Sequence, residues 1–138
     1  MIMTGKTIRI TVPGEPIPKG RPRFTKTGRA YTPGRTKTFE SFVKSQAAEQ
    51  VTELIRGPVM MDVRFRFNRP GRMIWKKKEM IEVPKDSRPD LDNLIKSVTD
   101  PLNKIAYVDD GQIFSLHAEK WYCSGDEMPG AEIKITEW

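Results

Sequence analysis

The chain has one cysteine, Cys123, and one histidine, His117, in 138 residues. A single cysteine cannot close an intrachain disulfide, and without a CxxC or a Cys/His cluster there is no basis for a structural zinc site. No apolar run approaches the roughly 18 residues of a membrane span. Gly5, Lys6 and Arg9 interrupt the stretch where a secretory signal needs continuous apolar sequence. These absences predict a soluble, cytoplasmic protein with no membrane partner. Acidic residues are in the minority, 18 Asp+Glu against 24 Lys+Arg, for a formal net charge of +6. A surplus of that sign speaks to partners rather than fold, and favours a polyanion such as nucleic acid. The length suits one domain with a real hydrophobic core.

The positive charge is concentrated. From Ile17 to Phe39 the chain carries Lys19, Arg21, Arg23, Lys26, Arg29, Arg35 and Lys37 and no acidic residue. Pro18, Gly20, Pro22, Gly28, Pro33 and Gly34 punctuate the same stretch too often for a helix or a central strand, which predicts an extended basic loop over about 17–37. A charge run can be no more than a solvated surface, but Phe24 and Tyr31 lie among the cations and could stack on bases.

Around that loop the hydrophobic pattern is regular. Thr7 to Val12 alternates and ends at Pro13-Gly14, as a half-buried strand does. Phe39, Phe42, Val43, Ala47, Val51, Leu54 and Ile55 recur at helical spacing, with Thr36 or Thr38 as a candidate N-cap and Gly57-Pro58 as a stop. Val59 to Phe67 alternates cleanly and reads as a strand. A polar connection with Lys76, Lys77 and Lys78 follows, expected to be a mobile or functional loop over about 69–88. Leu91, Leu94, Ile95, Val98 and Leu102 mark a second helix, which Pro101 tightens or ends. Strands near 112–122 and 131–137 complete the order strand, helix, strand, helix, strand, strand. The fold class is therefore mixed α/β (α+β), a single domain with a mixed sheet and two helices.

Asp90 and Asp92 stand at the start of that second helix in a basic protein. Capping and a favourable macrodipole interaction would explain one of them. Two residues apart at an N-cap, where the chain is still partly extended, both can turn toward one point. Lys96 follows Asp92 by one helical turn, on nearly the same face. Asp109-Asp110-Gly111 is ordinary turn chemistry. If the short element at 105–108 runs back beside the helix N-terminus, however, Asp110 joins the other two. Three like charges need a cation, and ligands that are all oxygen suit a hard divalent ion such as magnesium or manganese.

Pro89-Asp90-Leu91-Asp92-Asn93-Leu94-Ile95-Lys96, then Asp100, Leu102 and Asn103, then Asp109-Asp110-Gly111-Gln112-Ile113, closely resembles the signature of the RusA-type Holliday-junction resolvases. The upstream Pro13-Gly14 and Pro18-Lys19-Gly20-Arg21-Pro22-Arg23-Phe24 are similar to the entry loop of phage- and prophage-type members. The resemblance spans most of the chain. It implies a magnesium-dependent endodeoxyribonuclease of bacterial or phage origin, acting as a homodimer on four-way and branched DNA. Manganese would be expected to substitute for magnesium. The catalytic, metal-holding carboxylates map onto Asp90, Asp92 and Asp110 and the catalytic lysine onto Lys96. Asp100 and Asp109 map onto supporting positions, and Asn93 onto a residue that fixes the loop or a water at the metal. Pro101 departs from the small residue expected there, leaving the end of the helix less defined than its start.

Chemically, a phosphodiester repels hydroxide, so cleavage needs a cation that neutralises the phosphate and acidifies a water. Lys96 would stabilise charge on the phosphoryl oxygens or reduce repulsion among the carboxylates. Products would carry 5'-phosphate and 3'-hydroxyl ends. Lys19, Arg21, Arg23, Lys26, Arg29, Arg35, Lys37, Lys76, Lys77 and Lys78 are the expected DNA contacts. His117, Trp75, Trp121 and Trp138 read as packing or surface residues. Two other readings remain: a flap or fork nuclease, and a basic binding module without catalysis.

Overall fold

In a computed structural model that describes residues 5–20, 23–31 and 34–138, the alternating segments assemble into one mixed sheet. β1 spans Thr7–Pro13, β4 Val59–Phe67, β6 Ile113–Tyr122 and β7 Gly130–Glu137. With a two-residue strand β5, Val83–Pro84, they run in the order β1-β7-β4-β6-β5. β7 pairs antiparallel with both β1 and β4, while β4 and β6 pair in parallel. A parallel pair needs a crossover, and the chain between β4 and β6 supplies it with helix α2, Leu91–Thr99. The four-strand and two-helix frame is the one the sequence pattern implies.

One face of the sheet is apolar. Ile8, Ile10 and Val12 of β1, Val59, Met61, Val63, Phe65 and Phe67 of β4, and Ala131, Ile133 and Ile135 of β7 are all buried. Helix α1, Gly34–Gln50, lays a narrow stripe of Phe39, Val43 and Ala47 on them, and α2 adds Leu94 and Val98. Full burial of each such aliphatic side chain contributes about 1.5–3 kcal/mol. The opposite face is polar and cross-paired by charge: Asp62 lies opposite Lys134, and Arg64 opposite Glu132.

Three expectations are corrected. Helix α1 ends at Gln50, not near Ile55. The Gln50 amide bonds the N–H (2.8 Å) and C=O (3.0 Å) of Thr11, while Ile55 leaves the helix to form a bridge with Tyr107 and to donate its N–H to Ala106 O. A tertiary pairing has overridden helical periodicity. Thr36 is not a cap: it sits inside α1, where its hydroxyl accepts from Gly20 N–H and donates to Pro18 O. The basic loop is not wholly irregular, since Arg23–Phe24 (β2) and Ala30–Tyr31 (β3) form a separate antiparallel ladder. Its turn bonds Thr25 N–H to Arg29 O, with Gly28 at φ 83°, a left-handed conformation that glycine adopts without strain. Helix α2 stops at Thr99, ahead of Pro101, as the proline demands.

Candidate active site

The approach to α2 is anchored from the sheet. Lys120 of β6 donates from Nζ to Ser87 O (2.7 Å) and Pro89 O (2.8 Å). Its neighbours in the same phase of the strand are Ala118 and Tyr122, so it is a charge at a core-facing position, and that anomaly was the available sequence signal. Asp90 occupies the N-cap of α2 in an extended conformation, yet its side chain makes no cap hydrogen bond. Asp92 lies in the first turn, and Asp92, Lys96 and Asp100 follow one another at intervals of four along one helical face. Among the described residues no ion pair or hydrogen bond engages the side chains of Asp90, Asp92 or Lys96.

The second acidic element is a single 3₁₀ turn, Asp110–Gln112. Asp109 caps it, accepting the Gly111 N–H at 2.8 Å. A Cβ on Gly111 would meet that same carboxylate oxygen at 2.8 Å, so the cap requires glycine here. Asp110 is half-buried, and its carboxylate has no protein partner among the described residues. Tyr107, just upstream, is fully buried and donates from its hydroxyl to Thr99 O at 2.8 Å. Burial, reinforced by the charges of Asp110, Asp100 and Asp109, raises its pKa far above the ordinary tyrosine value, which keeps the hydroxyl protonated as a donor.

Tyr107 also locates the segment. Its hydroxyl meets the last turn of α2, which ties the 105–108 element to the C-terminal part of that helix. Among the described residues no three acidic, histidine or cysteine side chains come close enough to hold a metal ion together. Asp90, Asp92 and Asp110 are thus not gathered into a finished ligand set. The donors still suit a hard divalent ion: all are carboxylate oxygens, and none is taken up by a protein cation. Magnesium is characteristically held by one or two carboxylates, with waters and substrate phosphates completing its shell.

Beside Asp90 and Asn93 lies an open groove of about 620 Å³, walled by Lys19, Arg35, Lys85 and Arg88. Lys85 and Arg88 were not among the cations singled out from sequence. Among the cations that wall this groove Lys19 is ion-paired: its ammonium is held by Glu40 at 2.8 Å and Asp100 at 3.2 Å. Partial burial disfavours its charge, but the bonds to Glu40 and Asp100 outweigh that and raise its pKa. Its backbone N–H donates to Asn93 O at 2.9 Å, so one residue grips α2 near both ends. Arg35 and Lys37 are exposed in the first turn of α1. Lys26 and Arg29 are exposed on the β2–β3 turn, and Lys76, Lys77 and Lys78 are exposed after the 3₁₀ turn at Gly71–Met73. Lys78 and Arg69 both lie over the Trp75 ring, at 4.1 and 4.3 Å from its centroid. Arg21 lies outside the described residues, and for Arg23 only the backbone is described.

Asp90, with its carboxylate free of protein partners among the described residues, thus opens onto a groove lined by cations, a charge pattern that suits a phosphate backbone. The profile of the family described as Endodeoxyribonuclease RusA matches residues 13–136, and the chain belongs to that family of DNA-cleaving hydrolases. It is 35% identical over 139 residues to an uncharacterized protein, YqaN, of Bacillus subtilis (strain 168), covering 94% of this chain and 96% of that one. It is 50% identical over 54 residues to a protein of Lactococcus phage r1t named crossover junction endodeoxyribonuclease rusA, covering 38% of this chain and 39% of the phage protein.

Proposed function

We propose that this endodeoxyribonuclease resolves four-way and related branched DNA, with Asp90, Asp92 and Asp110 holding magnesium, for which manganese substitutes. The observation that carries this reading is Asp90: an N-cap aspartate that leaves the cap bond unmade keeps its carboxylate oxygens available to a cation. Magnesium, when bound, would neutralise the scissile phosphate and make water a better nucleophile. Lys96, one turn beyond Asp92, presents its ammonium to the phosphoryl oxygens as charge develops there. Asn93, in the same first turn, ties the helix start to the preceding basic loop through its carbonyl, which accepts the Lys19 N–H. Asp100 supports the helix indirectly, through its ion pair with Lys19.

The cations along the groove bind the backbone without reading sequence. Arg35 and Lys37 support that role, because the first turn of a helix is where the macrodipole disfavours cations and anions gain. Two matched nicks in a four-way junction need two sites, and a two-fold homodimer provides them on a near-symmetric substrate. No described helix is long and apolar enough to cross a membrane; a cytoplasmic setting among bacterial or phage DNA fits this substrate.

The test is a panel of labelled junction, fork, flap, duplex and single-stranded DNAs with and without magnesium. Junction cleavage that requires magnesium and leaves 5'-phosphate and 3'-hydroxyl ends is the expected result. Preference for flaps or forks would redirect the substrate assignment. Magnesium-independent binding without cleavage would remove the catalytic one. Light scattering and the coupling of nicks in a supercoiled cruciform plasmid test the dimer.

A further inference from the structure

Gln112 belongs to the second acidic element but carries no charge and has no part in the chemistry outlined above. Its side chain nevertheless makes four hydrogen bonds. Oε1 accepts the N–H groups of Val108 (2.8 Å) and Asp109 (2.9 Å). Nε2 donates to Ile55 O (2.9 Å) and Gly57 O (2.9 Å). A carboxamide has two donors and two acceptor lone pairs, so its capacity is filled. The network also fixes which way round the amide sits, since a flipped group would set donors against donors.

The four bonds join two parts of the chain distant in sequence. One pair closes the backbone immediately before Asp110, and the other ties that turn to the connection between α1 and β4. That connection is itself stitched to the same region by Ile55 N–H to Ala106 O and the bridge from Ile55 to Tyr107. Asp109 completes the frame from the other side by capping Gly111. Asp110 therefore stands between two residues whose side chains are both committed, on a backbone with little freedom, and is the carboxylate of the turn left available. Glutamate would not serve in place of Gln112, because its carboxylate would face the two carbonyl oxygens that Nε2 now satisfies.

We propose that Gln112 is the positioning residue for Asp110, holding that carboxylate where it meets the divalent ion. The inference rests on Asp110 belonging to the cleavage site. It predicts that Gln112→Met, which keeps the side chain's length but loses all four bonds, weakens Mn²⁺ binding by about 10–100-fold, as removal of an outer support of a metal ligand does. Mn²⁺ binding is measured by calorimetry on the full-length protein without DNA. Junction affinity in EDTA should stay within about twofold of wild type, because no phosphate contact is lost. Asp110→Asn should weaken Mn²⁺ binding as well, and the double variant should bind no more weakly than Asp110→Asn alone, the non-additivity expected of residues that act as one unit. If Gln112→Met is too unstable to assay, Gln112→Asn keeps the uncharged amide but loses its reach, and should shift Mn²⁺ binding in the same direction by less. Wild-type Mn²⁺ affinity in the Gln112 variants alongside a loss in Asp110→Asn overturns the inference, as does simple additivity in the double variant. Wild-type affinity in Asp110→Asn instead removes Asp110 from the site, and the role of Gln112 goes with it.

Discussion

The two acidic elements start from the same motif and use it differently. Asp90 and Asp109 are both N-cap residues, at α2 and at the 3₁₀ turn. Asp109 makes the cap bond, with Gln112 reciprocating in a capping box, whereas Asp90 makes none. Residue type and position are alike, so neither separates a structural aspartate from a chemical one. The hydrogen bond does: it commits Asp109 to the scaffold, and it leaves the carboxylates of Asp90, Asp92 and Asp110 without protein partners among the described residues.

The strongest way to break that contrast is Asp92→Asn. Strand cleavage should be lost while junction binding survives or tightens, because a carboxylate charge disappears and the basic surface is untouched; gel-shift and cleavage assays on one labelled junction read both. Retained cleavage would put Asp92 among the structural residues.

Lys96→Ala comes next, with a fall in single-turnover rate on the order of 10²–10³ if it acts as an electrostatic transition-state donor. Excess magnesium should not restore the rate, since added metal cannot replace a charge at the lysine's location. Restoration would mean that Lys96 tempers repulsion among the carboxylates instead.

A smaller effect sharpens the comparison directly. Asp109→Ala removes a working cap and should cost about 0.5–2 kcal/mol of stability. Asp90→Ala removes no bond and should stay within about 0.5 kcal/mol, the range of ordinary surface substitutions. Thermal or urea unfolding of the two variants makes the measurement, and equal losses would erase the distinction.

The smallest effects concern the cations. Arg35→Ala should lower the slope of log affinity against log salt by about 0.9, the contribution of one phosphate contact on duplex DNA. Lys19→Met should leave the slope unchanged, because its charge is already held by Glu40 and Asp100. A reduced slope in Lys19→Met would show that it exchanges those partners for phosphate.

Much of this was legible from sequence, for identifiable reasons. Val59 to Phe67 alternates without a break and is a strand over those same residues, because a sheet with one buried face imposes a period of two. The start of α2 follows the Pro89-Asp90 signal and its end follows Pro101, both local backbone effects. The end of α1 was not legible. Val51 to Ile55 keeps a helical pattern, yet Ile55 is more useful paired with Tyr107, a contact about fifty residues away that no local window contains. The same limit applies to the site. Asp90, Asp92, Lys96 and Asp110 stand out by type and spacing, but how near the 105–108 element brings Asp110 to the start of α2 depends on tertiary contacts such as Tyr107 with Thr99, which spacing does not contain. The ion pairs of Lys19 were not legible, because its partners, Glu40 and Asp100, come from two different helices.

The position of β7 in the sheet bears on how the molecule comes into being. It is the last strand in the chain, yet it lies between β1 and β4, with Thr136 opposite Thr7 and Ile133 opposite both Ile10 and Val63. A chain emerging from the ribosome therefore exposes β1 and β4 as two unsatisfied edges until residues 130–137 arrive to join them. Such long-range pairing makes for slow folding and for partly built forms prone to aggregate. Because residues 130–137 join β1 to β4, the sheet is incomplete, and its apolar face divided, until that strand is in place.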